Sequence, residues 1–303
     1  MSRYNGAKKG EALRCCPREQ ERILMKKPII AIMYDFDKTL CTENMQEYTF
    51  IPSMGMGASE FWEWTSVVAE EETMDRILTY MYCMVEKAKE AGTPLTRESL
   101  VDCGKDIEYW PGVEDWFQRI NRYGEEAGVQ VEHYVLSSGL KEIIEGTSIA
   151  KYFERIYACE FMYRDGVAFW PKMAVNYTNK TQFVYRINKG VLDIHNDTDL
   201  NNSRPDAEKR VFFSNMIYIG DGLTDVPCMK LVKQSGGHSI ALYQPGKDHT
   251  TAPLLRHDRV DWMFEADYTE GGDLDRTMKL LLQNLASYNK LKSLQEQQKK
   301  KLN

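Results

Sequence analysis

Apolar residues run almost unbroken through Pro28-Ile29-Ile30-Ala31-Ile32-Met33-Tyr34, and the run stops at two acids, Asp35 and Asp37, on either side of Phe36. A strand without polar alternation is buried on both faces, so this pattern predicts a central strand of a parallel sheet. Further runs at 131–136, 156–162 and 216–219, with shorter ones at 239–243 and 261–266, predict the remaining strands. The 131–136 run ends in Ser137-Ser138-Gly139, read as a glycine-containing turn before a helix, and the 216–219 run ends in Gly220-Asp221-Gly222-Leu223-Thr224-Asp225. Arg164-Asp165-Gly166-Val167 predicts a hairpin turn before Ala168-Phe169-Trp170.

Residues 44–109 have a helical period instead, with Phe61, Trp62 and Trp64 followed by Met74, Ile77, Leu78, Met81 and Val85. Gly92-Thr93-Pro94 breaks this segment. Thr96-Arg97-Glu98-Ser99 reads as a new helix start in which the reciprocal acid of a full capping box is displaced. Helices are also predicted from Glu114 to about Ala127, over 179–188, and from Leu274, where Met278, Leu281, Leu282 and Leu285 share a face. The polar stretch 193–210 reads as an exposed loop, residues 295–303 as a solvated basic tail, and the polar lead before Pro28 holds a short helix near 19–25. Strands alternating with helices predict an α/β fold, a doubly wound parallel sheet with ligand chemistry at the carboxyl ends of its strands.

The chain has 303 residues and a net charge of -6, so no global basic field recruits nucleic acid, and a phosphate ligand needs local cations or a metal. Cysteines at 15, 16, 41, 83, 103, 159 and 228 form neither a Cys-x-x-Cys pair nor a zinc spacing, and are expected to be reduced thiols. The lead lacks an apolar signal core and no stretch is long enough to span a bilayer, so a cytoplasmic protein is expected, with no membrane and no nucleic-acid partner. Oligomeric state is not legible from composition.

Two carboxylates at the end of a buried strand are costly unless a bound cation, a hydrogen-bonded network or a solvent-lined crevice receives them. Three strand ends carry polar groups: Asp35 and Asp37, then Ser137, then Asp221 and Asp225. In a parallel sheet those ends share one edge, and several carboxylate oxygens with a backbone carbonyl suit Mg2+ better than a soft metal. A carboxylate there can attack phosphorus while a second acid serves the leaving group. Each piece also has a plain structural reading: Ser137 as a helix cap, Gly220 to Asp225 as a turn with a capping acid, Lys38 as a solvated loop charge.

Taken in order, Asp35-Phe36-Asp37-Lys38-Thr39, Ser137-Ser138-Gly139, a lysine and Gly220-Asp221-Gly222-Leu223-Thr224-Asp225 resemble the motifs of the haloacid dehalogenase superfamily, most of whose members are Mg2+-dependent phosphatases. The resemblance, which spans about 28–266, implies Asp35 as nucleophile and Asp37 as general acid/base with its carbonyl oxygen on the metal. It also implies Thr39 supporting the loop, Ser137 on the phosphate with Ser138 and Gly139 beside it, and Asp221 and Asp225 at the metal. Lys180 is the expected third-motif lysine, with Lys172 and Lys189 in reserve.

A cap domain over residues 44–109, between core segments 28–43 and 110–303 and after an extension at 1–27, is a further implication. It would favour a small phosphomonoester. Trp62, Trp64, Tyr80 and Tyr82 are candidates for its inner face, although aromatics at helical spacing more often serve as packing. The hairpin and the Ser137 turn are most similar to the phosphoserine phosphatase branch, whose substrate-reading acid has Glu43 and Glu47 as candidates here, both off the expected spacing. Asp37 disfavours dehalogenation, because a departing halide needs no proton. Leu40 in place of glycine, together with the lack of membrane spans, separates Asp37-Lys38-Thr39 from the cation-pumping ATPases. The expected activity is hydrolysis of a small phosphomonoester through phospho-Asp35; the alternatives are a non-catalytic phosphate-ligand or protein-binding module and a phosphotransferase.

Overall fold

The apolar runs assemble, in a computed structural model, into one seven-stranded sheet of order β4-β3-β2-β1-β5-β6-β7. The structure describes residues 27–302 except 204, 206 and 207, so the polar lead with its expected helix lies outside the described residues. The strands are β1 (Ile29–Tyr34), β2 (Gln130–Leu140), β3 (Phe153–Arg164), β4 (Val167–Met173), β5 (Met216–Gly220), β6 (His238–Tyr243) and β7 (Trp262–Glu265). All neighbours are parallel except β3 and β4. In that hairpin Asp165 (φ 51°) and Gly166 (φ 79°) are both left-handed, the geometry that favours an Asp-Gly pair in a two-residue turn.

The helices are α1 (Phe50–Ser53), α2 (Ala58–Glu71), α3 (Arg76–Glu90), α4 (Arg97–Cys103), α5 (Val113–Ala127), α6 (Lys141–Glu145), α7 (Lys180–Lys189), α8 (Asp197–Asn201), α9 (Val226–Gln234), α10 (Asp248–Arg256) and α11 (Asp273–Lys300). Helices α5 and α11 form one layer against the sheet, and α7 and α9 form the other, the doubly wound arrangement that the alternation predicts. The outer layer is tied by buried Arg119 of α5, whose Nε lies 2.7 Å from Asp275 Oδ1 of α11 and whose Nη2 donates to the Tyr268 carbonyl. No helix among the described residues is long and apolar enough to cross a membrane.

Several local expectations change. Strand β2 runs on through Leu140, so Ser137, Ser138 and Gly139 sit inside its irregular end instead of in a turn. The pairing with β3 breaks between Leu136 and Leu140, and within that break the Gly139 N–H donates to Ser137 Oγ (2.9 Å). At the start of α4, Ser99 replaces the displaced acid: Thr96 Oγ1 accepts from the Ser99 N–H (3.0 Å) while Ser99 Oγ accepts from the Thr96 N–H (3.1 Å). The polar stretch after residue 193 contains α8, wrapped on buried Arg186, which donates to the carbonyls of Asp193 and Ile194. The basic tail is helical as far as Lys300.

Beneath β1 lies a buried chain of hydrogen bonds. Trp116 Nε1–H donates to the Tyr34 hydroxyl (3.0 Å), that hydroxyl lies 3.1 Å from His133 Nδ1, and His133 Nε2 lies 3.1 Å from Asn121 Oδ1. Indole only donates, so the Tyr34 proton faces Nδ1, and the network assigns the neutral imidazole with its proton on Nε2. Burial pushes its pKa down from 6.5 to about 3. The unfolded chain therefore binds a proton that the folded one refuses between those values. This penalty is absent above pH 6.5 and grows by about 1.4 kcal/mol per unit as pH falls toward 3. Compared with His133→Gln, the native protein is expected to lose urea stability more steeply from pH 6.5 to 5; equal slopes would contradict the neutral assignment.

Candidate active site

The carboxyl end of β1 is fixed from both sides. The Asp35 N–H donates to the Ile219 carbonyl of β5 (2.9 Å), and the Phe36 carbonyl collects the N–H groups of Thr39 (3.2 Å), Leu40 (2.9 Å) and Cys41 (3.3 Å). Asp35 is only 6% exposed. Asp37 Oδ1 accepts from the Met45 N–H (2.8 Å) at the start of the helical segment, and Thr39 Oγ1 donates to Asp221 Oδ1 (3.3 Å).

The end of β2 comes to the same place at Gly139, whose N–H donates to the fully buried Ser137 Oγ. A Cβ on Gly139 would lie 2.0 Å from Met45 Cε and 3.0 Å from Asp37 Oδ2, so only a hydrogen fits between that strand end and the Asp37 carboxylate without a shift. Met45 also receives the Leu140 N–H on its sulfur (3.0 Å).

Lys180 is the first residue of α7 and is wholly buried. Its position follows from the asparagine turn before it. Asn176 Oδ1 accepts from the N–H groups of Thr178 and Asn179 (both 3.0 Å), and Asn179 Nδ2 donates to the Ala174 carbonyl (2.8 Å). Lys180 Nζ lies 2.8 Å from Asp225 Oδ1 and 3.1 Å from Asp35 Oδ1. The reserve lysines stand elsewhere: Lys172 on β4 pairs with Glu160 of β3 (2.7 Å), and Lys189 holds the carbonyls of Leu200 (2.6 Å) and Asn202 (3.0 Å). Asp225 Oδ1 also accepts from the Tyr218 hydroxyl (2.7 Å), so the same oxygen is shared by Lys180 and Tyr218.

Burial and crowding of like charges raise the acids. Asp35 is pushed well up, first by burial and then by the charge of Asp225, against the pull of Lys180. Asp37 rises to about 7 through burial and the Asp35 charge, and Asp221 to about 7 through burial and the Asp225 charge. Burial opposes the Lys180 ammonium, but Asp225 and Asp35 hold its pKa above the ordinary lysine range.

A cation suits this arrangement. Oxygens of Asp35, Asp221 and Asp225 lie within 4.8 Å of one another, all three donors are hard, and buried Asp35 Oδ1 receives no hydrogen bond although Lys180 is at ion-pair distance. Glu43 is exposed, and no side-chain contact joins it to this cluster among the described residues. Glu47 accepts from Trp62 Nε1–H (2.6 Å) and from Asn44. Tyr80 points inward, donating to the Ser138 carbonyl (2.8 Å), whereas Tyr82, the other tyrosine named as a candidate, is 48% exposed and faces away. The sequence reading missed Met45 and Tyr218, and it named Tyr80 without its partner, the Ser138 carbonyl. Tyr218 alone carried a signal, a hydroxyl inside an otherwise apolar strand that must find a partner.

No family model matches the chain. It is 28% identical over 277 residues to an uncharacterized protein of Borreliella burgdorferi, spanning 82% of this chain and 95% of that one. Among solved structures it is similar to a HAD family hydrolase of Salmonella enterica serovar Typhi (TM-score 0.52, 16% identity, 80% of this chain and 69% of that one). It is also similar to a probable phosphoserine phosphatase of Vibrio cholerae (TM-score 0.52, 12% identity, 87% and 67%) and to a substrate-bound phosphoserine phosphatase (TM-score 0.50, 15% identity, 80% and 96%). The sheet order and these likenesses together give the chain the fold of the haloacid dehalogenase superfamily, in its phosphoserine-phosphatase-like form.

Proposed function

We propose that this protein is a phosphatase that hydrolyses a small phosphomonoester through an aspartyl phosphate on Asp35. The observation that carries this reading is the placement of Lys180 Nζ 3.1 Å from Asp35 Oδ1, with Asp37 two residues on and held by the Met45 N–H. An Asp35 carboxylate oxygen attacks phosphorus as the bond to the leaving oxygen breaks. Protonated Asp37 gives that oxygen its proton, and a pKa near 7 keeps a usable share of the acid form at neutral pH. Water then attacks the aspartyl phosphate, Asp37 takes its proton, and the bond from phosphorus to Asp35 breaks to release phosphate.

Lys180 offsets charge on Asp35 and the phosphoryl oxygens, while the Ser137 hydroxyl and the amides beside it orient the phosphoryl group. Asp35, Asp221 and Asp225, with the Asp37 carbonyl, would hold Mg2+, whose charge acts against the non-bridging oxygens. Residues 44–109 serve as the cap, a reading supported by two contacts that reach the site from that segment, Met45 to Asp37 and Tyr80 to Ser138. Phosphate release from a panel of small phosphomonoesters is expected with Mg2+ and lost with a chelator. Release that the chelator leaves intact, or none from any ester, would overturn the proposal.

A further inference from the structure

Lys38 occupies a backbone conformation that the sequence could have given to glycine at less cost. Its φ is +57°, left-handed, where a long L side chain is disfavoured. The other non-glycine residues with positive φ among the described residues, Thr73, Asp165 and Asp258, are all exposed and distant in sequence from the site acids. Lys38 lies between Asp37 and Thr39, in the turn locked by the Phe36 carbonyl, and its own carbonyl accepts from Trp110 Nε1–H (3.1 Å). The left-handed backbone is thus held from both sides. An outlier held this firmly at a site calls for a reason in the side chain.

That side chain is half-buried, and no carboxylate pairs with its ammonium group within 4 Å among the described residues. Its charge nevertheless reaches both Asp37 and Asp221, lowering each. The acids Asp35, Asp37, Asp221 and Asp225 face one buried ammonium, that of Lys180, so the fully ionised cluster carries an excess of negative charge. A divalent cation offsets only part of it, and a phosphate dianion adds more. We infer that Lys38 is a substrate-binding residue whose ammonium group takes an anionic oxygen of the phosphorylated substrate at the rim of the site. The inference rests on the phosphatase reading for its ligand.

Lys38→Gly and Lys38→Asn both keep the left-handed turn while removing the charge, and Lys38→Arg keeps the charge. All are expected to fold, with the glycine and asparagine variants melting no lower than the native protein. Titration with inorganic phosphate in the presence of Mg2+ is expected to give a Kd weakened about tenfold or more in the two neutral variants and within about threefold in Lys38→Arg. KM for glycerol phosphate against phosphoglycerate locates the contact. A rise for both esters places Lys38 on the phosphoryl oxygens, and a rise for phosphoglycerate alone places it on a second anionic group. Unchanged phosphate affinity with unchanged KM, or an arginine variant as weak as the glycine one, overturns the inference. If the native protein turns over no ester, the phosphatase reading fails, and the phosphate titration alone decides Lys38: unchanged affinity, or no binding by the native protein, overturns it.

Discussion

Asp35→Asn is expected to lower metal-dependent phosphate release by about four orders of magnitude or more while leaving the protein folded. An amide nitrogen or oxygen does not form the acyl phosphate that a carboxylate forms, so the first displacement stops. The folding side of the argument is independent. Asp35 is 6% exposed, its Oδ1 receives no hydrogen bond, and burial with the Asp225 charge raises its pKa. A neutral side chain of the same shape escapes that desolvation. In chelator, the variant should melt at or above the native temperature. Phosphate release, with calorimetry alongside, separates the outcomes: turnover above about 1% of native in a folded variant excludes Asp35 as nucleophile.

Lys180→Met should have the opposite balance, with activity and stability lost together. Methionine fills the space, but buried Asp35 and Asp225 then face each other without the ammonium that lies 3.1 and 2.8 Å from them. Removing one partner from a buried ion cluster costs about 3 to 5 kcal/mol, which in a chain of this size lowers the melting temperature by roughly 10 °C. Because the deficit is one of positive charge, Mg2+ is expected to return more melting temperature to Lys180→Met than to the native protein. Calorimetry in chelator and in Mg2+ reads both effects. A variant that melts with the native protein in chelator would mean that Lys180 does not balance the acids.

The parts legible from sequence were those written in local pattern. The run before Asp35 has no polar alternation, and five of its residues are fully buried in the centre of the sheet. The acids at the ends of β1 and β5 follow their strands directly, so locating the strands located them. Lys180 was less legible, because its place depends on where a hairpin and an asparagine turn deliver α7. The sequence singled it out with Lys172 and Lys189 in reserve, and the fold gives those two other partners. Met45 was illegible in principle, and Tyr80 was legible only as one of four aromatics, not by its partner. Met45 acts through its backbone N–H, which every residue but proline owns, and Tyr80 reaches Ser138 across 58 positions of chain. Tyr82, two residues from Tyr80, lies about 200° around the same helix and points the other way, so the helical period allows only one of the pair on the inner face.

The sheet order bears on synthesis as well as on chemistry. Strand β1 leaves the ribosome before the other described strands but pairs with β2 on one side and β5 on the other, and β5 begins only at Met216. At ordinary elongation rates the nascent chain spends roughly 10 to 40 s with the most apolar strand of the protein open along one edge. During that interval Asp35 lacks the Ile219 carbonyl that fixes its backbone, and Lys180, already made, lacks Asp225. The growing polypeptide thus carries an unprotected sticky edge and a buried-type lysine without its counterion until β5 and Asp225 have been made. That window is when a trigger-type chaperone would be needed most, and it closes with the same segment that completes the acid cluster.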